Sequence, residues 1–449
     1  MEKDKSQTRL LELHGILRKH NYKYYVLNEP MVSDFEFDQL LNELRAIEEA
    51  HPEWITPDSP SQRVGSTISQ RFDKVAHPSQ ILSLANAFDG DDLRAWLDRI
   101  GKIDERVFDA SFVVEPKLDG LTVVLHYHDG IFVQGATRGN GEVGEDITTN
   151  LKTLKSIPLR IPVLTDGPQP PPTLVVRGEV FINLDDFDEM NKRQLELGEK
   201  TYQTPRNTAA GTLRQLDSSI VATRPLRILA YTIVSGDGDL PPTQSESIQY
   251  LKDLGFPVPD NIEYCKTIDE AVEACEAWVS KREALEYEID GAVVKIDDQI
   301  LSADLGIVGK DPRGAIAFKF PALEVSTTLL DVGGNVGRTG VLTPYAILEP
   351  VEVGGVTVSQ ATLHNFDFIA EKDIRIGDRL MIKRAGDVIP YVIGPIIAAR
   401  SGAEKVYQPP TTCPSCGQKV EQIDGEVAIG QNCGTFCRQN HLRYSGYGD

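Results

Sequence analysis

A lysine between two carboxylates ends one apolar stretch of the sequence. In residues 115–120 (EPKLDG), the two-residue repeat of a strand projects Glu115, Lys117 and Asp119 to one face. Such a group is either a surface ion pair or the setting of a nucleophilic lysine. A nucleophilic lysine has to lose its proton near neutral pH, and carboxylates alone raise the pKa of a lysine. Burial or further cations must therefore converge on Lys117.

Candidate partners for Lys117 stand on other predicted strands. In residues 315–320 (AIAFKF), alternation places the larger apolar side chains in the core and Lys319 on the opposite face, where two alanines leave room for a flat ligand. Arg177 and Glu179 share a face within residues 175–180 (VVRGEV). These charged residues are the ones expected to meet the lysine.

Two further segments allow two interpretations each. Asp290 and Lys295 (DGAVVK) fall on opposite faces of a strand unless Gly291 forms a β-bulge. Residues 138–144 (RGNGEVG) could bind phosphate, but they lack the Gly-Lys-Ser/Thr ending of a phosphate-binding loop, and Asn-Gly is equally a hairpin turn. Neither segment alone indicates a function.

The order of these motifs resembles that of the covalent nucleotidyltransferases, the superfamily of ligases and capping enzymes. More narrowly, the chain from about Tyr22 to Cys433 resembles the bacterial NAD-dependent DNA ligase family. The segments that carry the resemblance are EPKLDG at 115–120, ATRG at 136–139, RGE at 177–179, DGAVVK at 290–295, AFKF at 317–320, DSPSQRV at 58–64, TPRN at 204–207, AAG at 209–211, GRTG at 337–340, TP at 343–344, ATLHN at 361–365 and RAGDVIP at 384–390.

The resemblance implies an enzyme that seals nicks between a 5′-phosphate and a 3′-hydroxyl in duplex DNA, in replication and repair. Lys117 would attack the α-phosphate of NAD, expel nicotinamide mononucleotide and hold AMP as a phosphoramidate. AMP would then pass to the 5′-phosphate of the nick, and the 3′-hydroxyl would displace it. The charge neutralisation that phosphoryl transfer needs implies a divalent metal, Mg²⁺ or Mn²⁺.

The resemblance also implies two sets of NAD contacts. The mononucleotide half that leaves would be held by the N-terminal helices, where Phe37 stands at a position that is commonly Tyr in the family. Asn140 similarly replaces a common Asp. Without the resemblance, the same helical residues would be a packed hairpin with solvated aspartates. The mononucleotide contacts would be Tyr24, Tyr25, Asp34 and Asp38, and the adenylate contacts Ser83, Leu84, Glu115, Asp119, Arg138, Glu179, Arg206, Asp290, Lys295 and Lys319.

Four of the six cysteines are clustered near the end of the sequence. The pattern Cys413-x2-Cys416-x16-Cys433-x3-Cys437 has spacing close to that of four-cysteine zinc sites and predicts a small zinc module. The last pair is closer together than is usual in the family, so His441 is an alternative fourth ligand. The other two cysteines are isolated.

The predicted fold is multidomain α+β. An N-terminal helical domain covers residues 1–66, with a capping box of Ser33 and Glu36 opening its second helix. An adenylation domain of the nucleotidyltransferase type covers 67–321. Short β-rich runs with almost no helical periodicity predict a small antiparallel barrel of the OB type at 322–405, and the zinc module covers 406–449.

Composition restricts the function further. The 449 residues carry 46 basic and 67 acidic side chains, a net charge of −21, which argues against extensive phosphate contacts. Residues 321–449 hold 11 basic and 14 acidic side chains, so a local basic face fits there best. The charged N-terminus leads into no signal-peptide core and no apolar run is long enough to cross a bilayer, so a cytoplasmic protein, expected to be a monomer, is predicted.

Two alternative functions stay open at this level. One is an enzyme of the same superfamily that uses ATP, which would have no need for residues 22–65. The other is a self-adenylating or nick-binding protein that does not seal efficiently, because the helix-hairpin-helix and BRCT domains with which the family continues are not in this sequence. With few phosphate contacts, sealing is expected to be more sensitive to salt than adenylation is.

Overall fold

A computed structural model describes residues 2–27, 29, 34–63, 71–320, 323–336, 341–353, 356–384, 390–413, 417, 419–422 and 429–430. The capping residue Ser33, the segment 337–340 and most of the segment 384–390 lie outside these ranges. Within the described residues, no helix has the length and apolar composition needed to cross a membrane. The chain divides into two compact units, residues 1–320 and 321–449.

The α-helices are α1 (Glu2–Tyr25), α2 (Asp34–Ala50), α3 (Gly90–Gly101), α4 (Thr148–Thr153), α5 (Leu184–Glu196), α6 (Pro205–Leu213), α7 (Ser218–Ala222), α8 (Gln244–Leu254), α9 (Ile268–Lys281), α10 (Gln299–Asp304) and α11 (Phe366–Glu371). Short 3₁₀ turns cover Pro52–Trp54, Pro60–Arg63, Glu105–Asp109, Arg282–Ala284 and Ile397–Ala399.

The strands are β1 (Lys74–Ala76), β2 (Ala85–Ala87), β3 (Phe112–Leu118), β4 (Leu121–His128), β5 (Ile131–Thr137), β6 (Val143–Glu145), β7 (Thr173–Ile182), β8 (Leu226–Gly236), β9 (Glu263–Cys265), β10 (Ile289–Ile296), β11 (Ile307–Val308), β12 (Asp311–Pro312), β13 (Ala315–Lys319), β14 (Leu323–Val336), β15 (Val341–Val353), β16 (Val356–Thr362), β17 (Arg375–Ile376), β18 (Arg379–Arg384), β19 (Tyr391–Pro395), β20 (Lys405–Val406), β21 (Glu421–Gln422) and β22 (Ile429–Gly430).

The N-terminal hairpin is held by one apolar stripe. Helix α1 presents Leu10, Leu13 and Leu17 at spacings of three and four residues, and these side chains bury themselves against Leu44 of α2. Glu12, which lies between them, is exposed, whereas His14 is buried. The hairpin therefore forms because these apolar positions share one face.

Two sheets position the charged motifs of the first unit. One has the strand order β2-β13-β10-β3-β9 and is covered by α3 and α9 through Trp96, Val272 and Trp278. The other has the order β5-β4-β7-β8 and has its own core with Phe132 and Leu251. Because β3 belongs to the first sheet and the following β4 to the second, the lysine motif lies where the chain crosses between them.

Gly120 makes this crossing possible. A Cβ atom at this position would lie 2.2 Å from the carbonyl oxygen of Val180 on β7. That separation is far below van der Waals contact with rigid backbone, so any side chain would push the end of the lysine motif away from β7.

The second unit contains a closed barrel. Strand β14 pairs with both β15 and β18, β18 with β19, β19 with β16, and β16 with β15, so these strands form a ring. The predicted barrel is confirmed, but its purely antiparallel character is wrong, because β16 and β19 pair in parallel at Thr362 and Tyr391. Helix α11 was also not predicted: it has six residues, too few for a periodic pattern, and begins where the Asn365 side chain accepts from the Phe368 N–H.

Candidate active site

A cavity of about 810 Å³ lies in the first unit, and its walls come from both sheets. Its lining includes residues from β3, β10 and β13 on one side and from β4, β7 and β8 on the other. The sequence-predicted residues that line the cavity are Ser83, Leu84, Glu115, Lys117, Asp119, Arg138, Arg177, Glu179, Arg206, Lys295 and Lys319.

Lys117 forms a partly buried ion pair in this site. Its Nζ lies 2.8 Å from Oδ1 and 3.1 Å from Oδ2 of Asp290, and Lys319 Nζ lies 2.5 Å from the same Oδ2. Burial would raise the pKa of Asp290, but the two ammonium groups outweigh burial and lower it. The pKa of Lys319 is lowered mainly by burial, against the pull of Asp290. The second cation that the chemistry of Lys117 requires is therefore in place.

A β-bulge brings Asp290 to Lys117. Where β10 pairs with β3, Ile289 lies opposite Leu118 but Gly291 lies opposite Lys117, so Asp290 is an extra residue in the ladder. The bulge shifts the alternation by one residue. Lys295 consequently lines the cavity, and Asp290, which is not itself a lining residue, contacts Lys117 and Lys319, an arrangement that strict alternation does not allow.

The other end of the cavity holds a second, more deeply buried ion pair. Lys295 Nζ donates to Glu115 Oε2 at 2.8 Å, and Glu115 is only 2% exposed. Burial lowers the pKa of Lys295, against the attraction of Glu115. Gln244 and Tyr231, which the motifs did not include, complete this end, since the Gln244 amide donates to Glu115 and the Tyr231 ring lies beside Lys295. Neither belongs to a recognisable motif, so no sequence signal marks them.

Arg206 approaches the motif from a different helix. It is the second residue of α6, which begins with Pro205 and is capped by the Thr204 hydroxyl accepting from the Asn207 N–H. Arg206 Nη1 donates to Asp119 Oδ1 at 2.7 Å. The helix cap therefore fixes a guanidinium next to the last carboxylate of the lysine motif.

The segment with Arg138 is a turn. Gly139 and Gly141 have positive φ angles, and the Asn140 side chain accepts from the N–H groups of Glu142 and Val143. Asn140 thus performs the local role that an Asp could also perform. Arg138 itself lines the cavity.

The N-terminal residues expected to contact NAD lie elsewhere in the described structure. Tyr24 and Tyr25 are exposed, and the Tyr25 hydroxyl accepts from Lys155 Nζ at 3.0 Å. Asp38 is also exposed, the side chain of Asp34 is not among those described, and Phe37 packs edge-on against His20. Among the described residues, none before Ser79 lines the cavity.

Buried charged side chains connect the segment after α2 to helix α1 and to the region of α4. Asp58, 1% exposed, accepts from Arg18 Nη2 at 2.5 Å and from Arg160 Nε at 2.6 Å. Arg63 donates to the backbone carbonyl of Lys152 in α4 and to those of Leu154, at 2.8 Å, and Ile157 after it. The segment that follows the hairpin is therefore held by ion pairs of Asp58 and by hydrogen bonds of Arg63.

The cysteine motif is only partly described. Cys413 is buried, whereas Cys416, Cys433, Cys437 and the alternative ligand His441 lie outside the described residues. Within the described parts of the chain, no three His, Cys, Asp or Glu side chains are arranged to hold a metal ion.

Three family descriptions match consecutive parts of the chain. The N-terminal NAD⁺-binding domain of DNA ligase-like proteins matches residues 3–65, the NAD-dependent DNA ligase adenylation domain matches 69–323, and the NAD-dependent DNA ligase OB-fold domain matches 326–404. The chain belongs to the NAD-dependent DNA ligase family. The lysine motif and the cavity lie in the part of the chain that matches the adenylation domain. The closed barrel lies in the part that matches the OB-fold domain.

Curated relatives agree with this assignment. A DNA ligase of Chloroflexus aurantiacus is 52% identical over 442 residues, covering 97% of this chain and 62% of the relative. DNA ligases of Roseiflexus castenholzii and Bacillus licheniformis are 52% and 48% identical, covering 92% and 96% of this chain and 58% and 63% of the relatives. The chain therefore spans about three fifths of the length of these relatives.

Glu179 provides a prediction about the site that needs no turnover. Burial raises its pKa to about 7, although the Thr122 hydroxyl donates to it at 2.9 Å. Because the folded-state pKa is above the unfolded one, ionising Glu179 as pH rises from about 5 to about 8 costs folding free energy. Thermal unfolding should show Glu179→Gln gaining stability relative to the wild type as pH rises. A constant difference across this range would contradict the raised pKa.

Proposed function

We propose that this chain seals nicks in duplex DNA, using NAD to form an adenylyl-lysine at Lys117. The observation that supports this best is the pairing of Lys117 with Asp290 and Lys319 at one end of a cavity whose other end holds Glu115 and Lys295. At one end the Lys117 amine is a nucleophile close to the positive charge of Lys319. At the other end the Glu115 carboxylate is a hydrogen-bond acceptor beside the donor Lys295. That arrangement suits a nucleotide with its phosphate at Lys117 and its base at Glu115.

In the first step the neutral amine of Lys117 attacks the α-phosphorus of NAD. A nitrogen–phosphorus bond forms, the bond from that phosphorus to the bridging oxygen breaks, and nicotinamide mononucleotide leaves with the bond electrons, while the amine proton passes to solvent. Asp290 orients the amine, and Lys319 adds positive charge where the phosphoryl oxygens gather negative charge. Positioning and charge neutralisation account for most of this catalysis.

The base end of the site would distinguish the purine. The Glu115 carboxylate accepts hydrogen bonds only, whereas Lys295 donates. An adenine edge presents an amine donor next to a ring-nitrogen acceptor, which complements this pair. Ser83, Leu84, Asp119, Arg138 and Glu179 would line the ribose and phosphate path between the two ends.

The second and third steps need DNA. AMP passes from Lys117 to the 5′-phosphate of a nick, and the 3′-hydroxyl then attacks that phosphate and releases AMP. Arg206 would face the nucleotide or the nick phosphate. Contacts to the DNA phosphate backbone would come from Lys383 and Arg384 of β18 and from Arg338. We further propose that the protein acts as a cytoplasmic monomer in DNA replication and repair.

A divalent metal, Mg²⁺ or Mn²⁺, would supply charge neutralisation at the transferred phosphate. No protein ligand is assigned to it, because the described side chains form no three-residue metal cluster and Mg²⁺ commonly binds through substrate phosphates with few carboxylates.

We also propose one zinc per chain at Cys413, Cys416, Cys433 and either Cys437 or His441. Cys413→Ser should lose the metal, because a tetrahedral thiolate site needs all four ligands, whereas the buried Cys265→Ser should retain it. Elemental analysis of purified wild type and variants measures this. Metal-replete wild type without zinc would overturn the proposal, and loss of zinc in His441→Ala but not in Cys437→Ala would identify the histidine as the ligand.

The test of the function is a nick-sealing assay. A labelled nicked duplex should be converted to the sealed strand in the presence of NAD and Mg²⁺, and a pre-adenylated nick should be sealed without NAD. Adenylation of the protein with no sealing of either substrate would identify a self-adenylating protein and contradict the proposed ligase activity.

A further inference from the structure

Gln244 occupies the base end of the cavity without belonging to any motif of the sequence. It is the first residue of α8, is 5% exposed and lines the cavity. The start of the helix does not depend on its side chain, because the Thr243 hydroxyl accepts from the Glu246 N–H and the Gln244 backbone N–H donates to the Asp297 carbonyl. The amide group of Gln244 is therefore available for another purpose.

Both hydrogens of the Gln244 amide are directed at acceptors. Nε2 donates to Glu115 Oε1 at 2.7 Å and to the Tyr231 carbonyl at 2.8 Å. Exchanging the amide nitrogen and oxygen would place oxygen against two oxygens, so the orientation is fixed by its neighbours. Lys295 donates to the other oxygen of Glu115 at 2.8 Å. Each oxygen of the Glu115 carboxylate thus accepts one hydrogen bond from the protein, and each keeps a lone pair for a ligand.

We propose that Gln244 is a positioning residue that determines base specificity, by holding Glu115 as a fixed acceptor for the exocyclic amine of a 6-aminopurine. This inference rests on the proposed function, since it assumes that the base of a nucleotide binds at this end. A 6-oxopurine reverses the pattern, because it presents a carbonyl oxygen to Glu115 and a ring N–H to Lys295. Two repulsive contacts then replace two hydrogen bonds.

Removing the Gln244 amide should relax this discrimination. Glu115 would keep only Lys295 as a partner and could rotate about its terminal bond, so that its acceptor would no longer face the amine. The Tyr231 carbonyl would keep only the longer hydrogen bond from Lys295 Nζ, at 3.4 Å. Methionine keeps the length and approximate volume of glutamine but donates nothing, which makes Gln244→Met the direct variant.

Calorimetric titration with AMP and with IMP measures the effect without turnover. The wild type should bind AMP more tightly, and Gln244→Met should reduce the AMP-to-IMP affinity ratio by about tenfold or more, as expected for loss of a hydrogen bond to a charged group. In adenylation with NAD, the KM should rise while kcat changes by less than about threefold, because Lys117 is untouched. Gln249→Met is the matched control, since Gln249 lies on the exposed face of α8 and donates to Asp253.

Gln244→Glu gives a second and independent readout. A protonated carboxylic acid can donate to Glu115, whereas two adjacent carboxylates repel each other. The AMP-to-IMP affinity ratio should therefore recover in this variant at about pH 5.5 and fall at about pH 8. In the wild type and in Gln244→Met the ratio should stay nearly constant, because titration of the nucleotide phosphate and of Glu179 affects both nucleotides alike. This rescue is not expected from a residue that only fills space.

The possible results separate the two claims. Equal loss of AMP and IMP affinity in Gln244→Met, or a wild type that binds both equally, would overturn the role of Gln244. A wild type that selects AMP through Gln244 but forms no adenylyl-lysine with NAD would instead overturn the proposed function alone.

Discussion

Lys117→Ala is expected to abolish formation of the protein–AMP adduct with NAD and Mg²⁺, by at least about a thousandfold, because the phosphoramidate requires an amine at that position. Lys319 is a second amine in the site, but it projects from β13 and its Nζ lies 2.5 Å from Asp290 Oδ2. Lys117→Arg should fail as well, since a guanidinium stays protonated. Intact-protein mass spectrometry measures the adduct directly.

The matched control is Lys102→Ala, which removes an exposed lysine after α3, away from the residues that line the cavity. It should form the adduct at the wild-type rate. Lys117→Ala should also still seal a nick that already carries AMP, because the final step does not use the lysine amine. An adduct that still forms in Lys117→Ala, when the free energy of unfolding equals that of the wild type, would show that another residue is the nucleophile.

The second large effect is expected from Tyr24→Ala combined with Asp38→Ala. If these residues hold the mononucleotide half of NAD, losing two contacts of about 2 kcal/mol each lowers the first-step kcat/KM by about a thousandfold. Both side chains are exposed, so folding should be unaffected. Rates of adduct formation over a range of NAD concentrations provide the measurement.

Sealing of a pre-adenylated nick shows whether the double variant has lost NAD binding or has misfolded. The double variant should seal it within about threefold of the wild type, because no NAD is needed. Gln39→Ala, next to Asp38 on the exposed side of α2, should leave both steps unchanged. Equal loss of both steps in the double variant would contradict the assignment of these residues to NAD.

Alternation along strands was sufficient to predict one face of the site. Glu115 and Lys117 line one cavity from β3, and Lys319 reaches it from β13, as period-two patterns imply. The position of Asp290 depends on a bulge, which is a property of how β10 pairs with β3 and not of β10 alone. The sequence could name Gly291 as a possible bulge but could not decide it.

Residues outside motifs were beyond the reach of the sequence. Gln244 contacts Glu115 across 129 positions of the chain, and only the folded arrangement of β3 and α8 brings them together. The short helix α11 was missed for a local reason, since six residues give no periodic signal. Tyr24 and Tyr25 of α1 are a third case, because the structure shows them exposed at the surface and exposure does not indicate which ligand they bind.

The measurement that tests the account most directly is the intact mass of the wild-type chain after incubation with Mg²⁺ and either NAD or ATP. The account predicts that NAD adds one adenylyl group per chain, that ATP adds none, and that peptide mapping locates the group on Lys117. An adduct formed from ATP but not from NAD, or one located on a residue other than Lys117, would contradict it.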